Sequence, residues 1–375
     1  MILLIEPQCI GWQHESVNAG FIENIKKIVG KEEIRVYAES EHIICLRKLL
    51  PYIEKEVLFF PIHIPDKNLD YATPFLSYYK LFKNIMRNLG KSNVRSVFFL
   101  SGNKGNLIAA RKIALEFRNI SFYIVMHGIM EQMVNKDKVP KHTFWPLKSI
   151  LNSFSNIKNV EFITYSPKAK EILRGKYRGT FINKLCFIHL PFPTFMENCK
   201  KLNDDGKIHI AILGAGAKKE TYEFIQSIDN EIKEKVSFDI LLRDQSDFAS
   251  LKSVNIVKKC ENITYFEIAH LISKCNFTFI PYTSKEYQVS SSGILMDSIQ
   301  QSTPVLSFDT NTVLWYNQYN IGKVCVSYDE MREFLIKGCE NGEDLWEIYR
   351  QNIVELRRKI ICENEKIVKE IFSNM

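Results

Sequence analysis

Short apolar segments alternate with segments of helical periodicity along nearly the whole chain. Short apolar runs, each followed by a helical pattern, are typical of parallel α/β sheets. In the first half this alternation predicts strands at 2–5, 34–37, 96–100, 122–126 and 161–165. In the second half it predicts strands at 209–213, 238–242, 255–257, 277–281, 305–308 and 323–326. The chain is therefore expected to be an α/β protein.

The length of 375 residues is large for a single core and indicates two domains. Residues 188–193 hold two prolines and precede a polar stretch at 197–207, a pattern that is typical of a domain linker. We expect a first domain over 1–190 and a second over 206–342. Residues 343–375 have the pattern of charged amphipathic helices.

The composition excludes several classes of protein. With 46% hydrophobic and 12% aromatic residues the chain can bury a large core, so disorder is not expected. Its nine cysteines are scattered without a CxxC pair, which indicates reduced thiols and not a disulfide framework or a zinc site. The N-terminus lacks the basic start of a signal peptide, and no apolar run approaches the about 20 residues of a membrane helix. We expect a cytoplasmic protein.

The net charge of +7 is concentrated in the first half. Residues 71–115 contain no acidic residue, and 136–158 hold five lysines against one aspartate. The acid-free stretch includes a predicted helix at 73–90 with a basic face, which indicates either a helix at an anionic membrane surface or an ordinary domain helix with a solvated side. Under the first interpretation the protein contacts the inner face of the cell membrane peripherally.

One stretch, 279–309, is the most informative about function. It predicts a buried strand, a polar loop, a helix start and a second buried strand. Ser290, Ser291, Ser292 and Gly293 fall at the helix N-terminus, where backbone N–H groups and the helix dipole favour an anion such as a diphosphate. Asp297 follows about one turn later, where a carboxylate can accept hydrogen bonds from ribose hydroxyls. The alternative is an ordinary βα turn.

The same stretch resembles the donor site of GT-B glycosyltransferases, especially the retaining family with a Glu-x7-Glu motif. The matching pieces are Ile-Pro-Tyr at 280–282, Ser-Ser-Gly at 291–293, Met-Asp-Ser-Ile at 296–299 and Thr-Pro-Val-Leu at 303–306. The resemblance implies two Rossmann-like domains that face each other across a cleft, with a C-terminal helix crossing back to the first. It also implies that the first domain binds the acceptor and the second binds a nucleotide-sugar donor.

The chain departs from that motif at one position. Asp297 occupies the place of the second Glu, but Val289 occupies the place of the first, which contacts the donor sugar in the family. Either Glu286 substitutes from a shifted loop, or the chain is a divergent branch. Retaining or inverting stereochemistry therefore stays open.

A glycine turn follows the first strand of the second domain. Gly214 and Gly216 precede Lys218 and Lys219. A nicotinamide fingerprint needs a small residue at 219, so the lysine there disfavours that alternative. The resemblance implies that the glycines let the backbone approach the donor and that a lysine pairs with its phosphates; solvated lysines are the other reading.

Three further residues are candidates for the donor site. Arg243 ends a predicted strand and could bind a diphosphate in bidentate fashion, or pair with a nearby aspartate. Tyr265 and Phe266 resemble the segment that holds the nucleobase, although at least one of them is expected to be a core residue.

The first domain offers candidates for the acceptor side and for catalysis. His127 follows a buried strand and could bind the donor sugar or act as a base. His14, Glu15 and Asn18 follow the first strand, where the resemblance places the acceptor. Ser16 is an alternative there as a helix cap.

These features predict a metal-independent glycosyltransferase. It would move a sugar from a nucleoside-diphosphate sugar to a hydroxyl of a lipid-linked or polysaccharide acceptor in bacterial-type surface glycan synthesis. His127, Glu286 and Glu15 are the catalytic candidates; no cofactor, metal or nucleic-acid partner is expected, since Asp-x-Asp and zinc-spaced motifs are absent from the sequence. Two alternatives stay open: a nucleotide-sugar epimerase on the same fold, and a catalytically silent binding partner.

Overall fold

The structure, a computed structural model, describes residues 1–65, 73–89, 93–135, 146–177, 179–194, 205–213, 218–242, 247–259, 263–282, 286–337 and 342–373. It contains two compact units. Unit 1 comprises Met1–Pro193, Val289–Ser291 and Glu363–Met375, and unit 2 comprises Thr194–Gln288 and Ser292–Cys362.

Unit 1 is built on a parallel sheet of seven strands in the order β3-β2-β1-β4-β5-β6-β7. The strands are β1 Ile2–Ile5, β2 Ile34–Ala38, β3 Val57–Pro61, β4 Ser96–Phe99, β5 Ser121–Val125, β6 Val160–Thr164 and β7 Leu185–Phe187. The helices are α1 Glu15–Val29, α2 Ser40–Leu49, α3 Thr73–Asn88, α4 Lys104–Glu116, α5 Glu131–Val134, α6 Leu147–Asn152 and α7 Ala169–Lys176.

Unit 2 is built on a parallel sheet of six strands in the order β10-β9-β8-β11-β12-β13. The strands are β8 Ile208–Leu213, β9 Val236–Leu242, β10 Val254–Lys259, β11 Phe277–Ile280, β12 Val305–Phe308 and β13 Gly322–Cys325. The helices are α8 Lys219–Ile232, α9 Tyr265–Lys274, α10 Gly293–Gln300, α11 Asn311–Asn317, α12 Tyr328–Lys337 and α13 Gly342–Ser373.

The two central strands β1 and β4 are buried at every position, as parallel strands covered by helices on both faces must be. Aromatic rings fill the layer beside them: Phe98 stacks on Tyr123 with ring centroids 4.6 Å apart and meets Phe21 edge-on with centroids 5.7 Å apart. This continuous apolar character is the signal that makes these strands predictable, and the predicted α/β architecture with two parallel sheets is confirmed.

Two strands of unit 1 were not predicted, and both lie at sheet edges. The pattern of β3 is half-exposed and ends in Pro61, and β7 is three residues long. An edge strand pairs on one side only, so it needs neither the length nor the continuous apolar run that identifies a central strand.

Residues 188–193, expected to begin a solvated linker, are instead buried in unit 1. Helix α1 brings Gly20 against this segment, so closely that a Cβ on Gly20 would lie 2.4–2.6 Å from backbone atoms of Phe192. The C-terminal end of α13, predicted as one or two helices and observed as one, also contacts it. Asn364 accepts from the His189 N–H at 2.9 Å and donates to the His189 carbonyl at 3.0 Å.

Candidate functional site

Open α/β sheets bind ligands beyond the carboxyl ends of their strands, where the strand order reverses. In unit 1 this point lies between β1 and β4, and in unit 2 it lies between β8 and β11. The residues that follow these strands are therefore the candidates for ligand binding or catalysis in each unit.

In unit 2, helix α10 begins where the sequence predicts. Ser292 is the N-cap, and its Oγ accepts a hydrogen bond from the Leu295 N–H at 3.3 Å. Gly293, the first helical residue, has open space where a Cβ would lie. The first turn of α10 carries no acidic side chain of its own, and a helix N-terminus favours an anion.

Asp297 lies one turn into α10 and is half-buried. Burial raises the pKa of its carboxyl to about 8, and no donor or cation among the described residues offsets the effect. Most half-buried carboxylates are stabilised by hydrogen bonds that lower the pKa instead. Asp297 is thus an acceptor held in a dry environment, with capacity for hydrogen bonds from a ligand.

Lys218 precedes α8 and is partly buried beside residues that follow β11. Its Nζ lies 3.4 Å from the Glu286 carboxylate and 6.0 Å from the centroid of the Tyr282 ring. The Tyr282 ring in turn packs 4.5 Å from that of Tyr287, and burial raises the pKa of the Tyr282 hydroxyl. The structure therefore brings together Lys218 and Glu286, two side chains that the sequence predicts for the site from 68 positions apart.

Lys219 has a different environment from its neighbour. Its side chain is 84% exposed, and its Nζ lies 3.4 Å from Glu223 one turn along α8. This is the geometry of a solvated helix pair, which contributes little to stability.

The two aromatic candidates, Tyr265 and Phe266, differ in burial. Tyr265 is 3% exposed, and its hydroxyl donates to the Gln300 side chain, so it is a core residue. Phe266 is 39% exposed in the first turn of α9 and keeps a free aromatic surface. Gly214, Gly216 and Arg243 lie outside the described residues.

The short segment Val289–Ser291 is grouped with unit 1. Val289 is 1% exposed within the apolar cluster of that unit, so a Glu at this position would be a buried charge. One carboxylate oxygen of Glu131, at the start of α5, accepts from the Val289 N–H and from the Ser290 Oγ, both at 2.8 Å. Ser290 is therefore already engaged through its hydroxyl, whereas the enclosed Ser291 Oγ has no partner among the described residues.

His127 follows β5 at the carboxyl edge of the unit 1 sheet. Its ring lies edge-on to that of His14, with centroids 4.5 Å apart, and 5.6 Å from the Tyr165 ring, which follows β6. Burial, with a smaller contribution from His14, lowers the pKa of His127 to about 3. Its Nδ1 atom is enclosed without a hydrogen-bond partner among the described residues. A neutral imidazole of this kind can accept a proton or a hydrogen bond.

The residue at the centre of this edge, Glu6, was not singled out in the sequence analysis. It follows β1, is 0% exposed, and accepts from the N–H groups of Gln8 and Cys9 at 2.8 and 3.0 Å. The Ser101 hydroxyl, which follows β4, donates to the same carboxylate oxygen, Oε1, and Asn18 Nδ2 donates to the other, Oε2, at 3.0 Å. An acidic residue directly after four buried aliphatic ones was a signal that could have identified it.

Three acceptor-side predictions are refined by this geometry. Asn18 is buried, and its amide nitrogen contacts both Glu6 and His42, which gives it a structural role. The Glu15 carboxylate accepts from the Cys45 thiol of α2, whose pKa is raised to about 11 by burial and then by Glu15. Ser16 is not the cap of α1, because the helix begins at Glu15 and the N-cap position is His14.

Within the described ranges, no three His, Cys, Asp or Glu side chains are grouped as metal ligands would be. No helix of the described part of the chain is both long and apolar enough to cross a membrane.

No protein-family model matches the chain, and no curated protein matches it by sequence. Solved structures match it over their full length. A glycosyltransferase from Rickettsia africae ESF-5 has a TM-score of 0.64 and 15% identity, covering 100% of this chain and 99% of that one. Anabaena Alr3699/HepE in complex with UDP gives 0.62 and 9%, with the same coverage. Sucrose-phosphate synthase from Thermosynechococcus elongatus gives 0.61 and 12%, again covering 100% and 99%. The chain therefore has the GT-B fold of glycosyltransferases.

Proposed function

We propose that the protein is a glycosyltransferase that takes a sugar from a nucleoside-diphosphate donor and passes it to a hydroxyl group. The observation that carries this proposal is Asp297: a carboxylate with a pKa of about 8, lacking described donors, one turn into a helix whose first turn carries no acidic side chain. A ribose supplies the missing donors, and a diphosphate supplies the negative charge that such a helix end favours. Two findings support this ligand class: the similarity of the fold to glycosyltransferases, and the UDP bound to HepE.

In the proposed reaction the bond from the sugar C1 to the diphosphate oxygen breaks, and the acceptor oxygen forms the new glycosidic bond. Negative charge develops on the leaving diphosphate. In unit 2, Lys218 and the backbone amides at the start of α10 would stabilise it, together with Arg243 from outside the described residues. Lys219 is solvated and would contribute only at long range. The acceptor hydroxyl loses its proton, and His127 in unit 1, which follows β5, is the proposed base. Glu286, paired with Lys218, is proposed to contact the donor sugar.

The proposed acceptor is a lipid-linked or polysaccharide glycan, and the protein would act peripherally at an anionic membrane in the cytoplasm. Unit 1 carries the basic surface that supports this. Lys80 and Arg87 are exposed on one side of α3, with Leu76 49% exposed beside them. Each such cation near anionic lipid contributes about 1 kcal/mol. Lys83 is different: it lies 3.1 Å from Glu116 and donates to the Tyr79 hydroxyl, so it is partly neutralised.

The function is tested in two steps. A thermal-shift screen across UDP, GDP, CMP and their sugars identifies the donor. Release of the free nucleotide is then measured after adding a sugar linked to a lipid pyrophosphate. Transfer requires release that depends on this acceptor. Conversion of the donor sugar without an acceptor would indicate an epimerase, and binding with neither reaction would indicate a silent binding partner.

The membrane proposal is tested with the double variant Lys80→Glu/Arg87→Glu, which leaves the Lys83 pair intact. Its binding to anionic liposomes should be lost, and wild-type binding should weaken as salt rises, because screening shortens the reach of each charge. Arg174→Glu/Lys176→Glu, which changes two exposed cations on α7, is the matched control. Equal sedimentation of wild type and the α3 variant would remove the membrane contact.

A further inference from the structure

The loop between β1 and α1, residues 7–14, is held by buried and partly buried hydrogen bonds near its start and near its middle. Near its start, Glu6 accepts from the N–H groups of Gln8 and Cys9. Near its middle, the Gly11 carbonyl contacts His42 Nδ1 at 2.6 Å, and the Gly11 N–H donates to Glu39 at 3.3 Å. Loops of this length are usually solvated and mobile, so this density of buried contacts requires a reason.

The two anchor points are connected through one amide. Asn18 Nδ2 lies 3.0 Å from Glu6 Oε2 and 3.0 Å from His42 Nε2. If the amide donates in both directions, His42 must be neutral, accepting at Nε2 and donating from Nδ1 to Gly11. Burial lowers the pKa of His42, which agrees with that protonation state. Every polar group in this chain of contacts then has a partner of the correct type.

The loop ends in a strained residue that faces the candidate base. His14 has a left-handed backbone with φ 52°, and no side-chain hydrogen bond caps α1 there. Such a conformation costs about 1–2 kcal/mol in a residue with a Cβ, so it persists only when its surroundings enforce it. The enforced position places the His14 ring 4.5 Å from that of His127.

We propose that Glu6 and His42 are positioning residues that hold the 7–14 loop so that His14 covers His127 and keeps its imidazole enclosed. The catalytic meaning of this arrangement rests on the proposed function, in which His127 is the base. The arrangement itself concerns unit 1 alone and can be tested without a substrate.

Glu6→Gln is the informative change because it preserves shape and reverses polarity at one point. Its amide NH₂ would face the Asn18 NH₂, so the Asn18 side chain must flip to accept. The flipped Asn18 then presents its oxygen to His42 Nε2, which must donate while Nδ1 still donates to Gly11. His42 would have to become charged in a buried site, or release the loop.

The readout is the reaction of His127 with diethyl pyrocarbonate at pH 7, quantified by peptide mass mapping. In the wild type His127 should react slowly and the exposed His14 quickly. In Glu6→Gln the His127 rate should rise about tenfold, as expected when local opening becomes easier, with His14 little changed. Asn159→Ala is the matched control. It removes donors to the Ala114, Phe117 and Ile120 carbonyls at the amino edge of the same sheet, far along the strands from the loop.

The proposal is overturned if His127 labelling rises no more in Glu6→Gln than in Asn159→Ala, since Glu6 would then serve only stability. If Glu6→Gln does not fold, His42→Gln decides by the same measurement, because it breaks the Gly11 contact directly. Failure of the proposed function would appear separately, as absent nucleotide binding or transfer in the wild type. Where transfer is detected, Glu6→Gln should lower kcat, because the proposed base is no longer held in place, and leave the affinity for UDP within about twofold, because donor binding is proposed for unit 2.

Discussion

Glu6 and Asp297 are both acidic residues near the carboxyl edge of a parallel sheet, one in each unit, yet their surroundings are opposite. Glu6 is fully enclosed and accepts hydrogen bonds from two backbone N–H groups, one amide and one hydroxyl. Asp297 is half-buried, and its pKa is raised to about 8 because no described donor offsets its burial. A carboxylate with all its partners fixes structure, whereas one without them is ready for a ligand. We therefore propose that the same side-chain chemistry serves positioning in unit 1 and binding in unit 2.

The largest effect should come from removing the satisfied carboxylate. Glu6→Ala leaves buried donors on Gln8, Cys9 and Asn18 without a partner, so we expect a loss of about 3–5 kcal/mol in the free energy of unfolding. Urea denaturation measures it. Glu171→Ala, an exposed carboxylate on α7, is the control and should change stability by less than about 0.5 kcal/mol. Similar effects of the two variants would contradict the role given to Glu6.

Removing the carboxylate of Asp297, which lacks described donors, should instead increase the free energy of unfolding. The pKa of Asp297 is raised from 3.8 to about 8 on folding. Between pH 4 and pH 8 the folded state therefore keeps a proton that the unfolded state has released. The free energy of unfolding consequently falls as the pH rises from 4 to 8. Asp297→Asn should match the wild type at pH 4 and exceed it at pH 8 by about 2–4 kcal/mol. The exposed Asp329→Asn is the control. A wild type whose stability does not fall through this window, relative to Asp297→Asn, would show that Asp297 already has a partner.

The affinity for a nucleotide should also depend on the ionisation of Asp297. If UDP hydroxyls donate to ionised Asp297, binding lowers its pKa, and the affinity should fall up to tenfold per pH unit below 8. Asp297→Asn should weaken binding at pH 8 by about 1.5–3 kcal/mol and remove this dependence. Calorimetry between pH 6.5 and 9 avoids the phosphate ionisation near pH 6. The same pH dependence in Asp297→Asn would assign the proton to another group.

The smallest expected effect is a difference in nucleotide affinity between variants of two adjacent lysines of unit 2. Lys218 is partly buried beside Glu286, whereas Lys219 is solvated. Lys218→Ala should weaken UDP binding by about 1–2 kcal/mol, and Lys219→Ala by less than about 0.5 kcal/mol, because exposed charges are screened. Equal losses in the two variants would mean that only the net charge of this turn matters.

The fold followed from the sequence wherever burial is continuous. The four inner strands of unit 2 and the five inner strands of unit 1 have apolar runs that identified them. The edge strands β10 and β13 were also predicted, at 255–257 and 323–326, whereas the edge strands β3 and β7 were missed, because β3 is half-exposed and ends in Pro61 and β7 is only three residues long. The start of α10 and the location of Asp297 in its second turn were also predictable, since helix caps act over three or four residues.

The sequence by itself determined the alternation of elements, the two parallel sheets and the types of side chain that follow their strands. Only the tertiary structure decided which of these side chains meet. Glu131 contacts Val289 and Ser290 from 158 and 159 positions away, and Glu6 reaches Ser101 from 95. The tertiary structure also gave Lys218 and Lys219 different environments, and it made Val289 a core residue. The physical reason is that local propensities and periodicity act within a few residues, whereas hydrogen-bond satisfaction and desolvation depend on every element packed around a group.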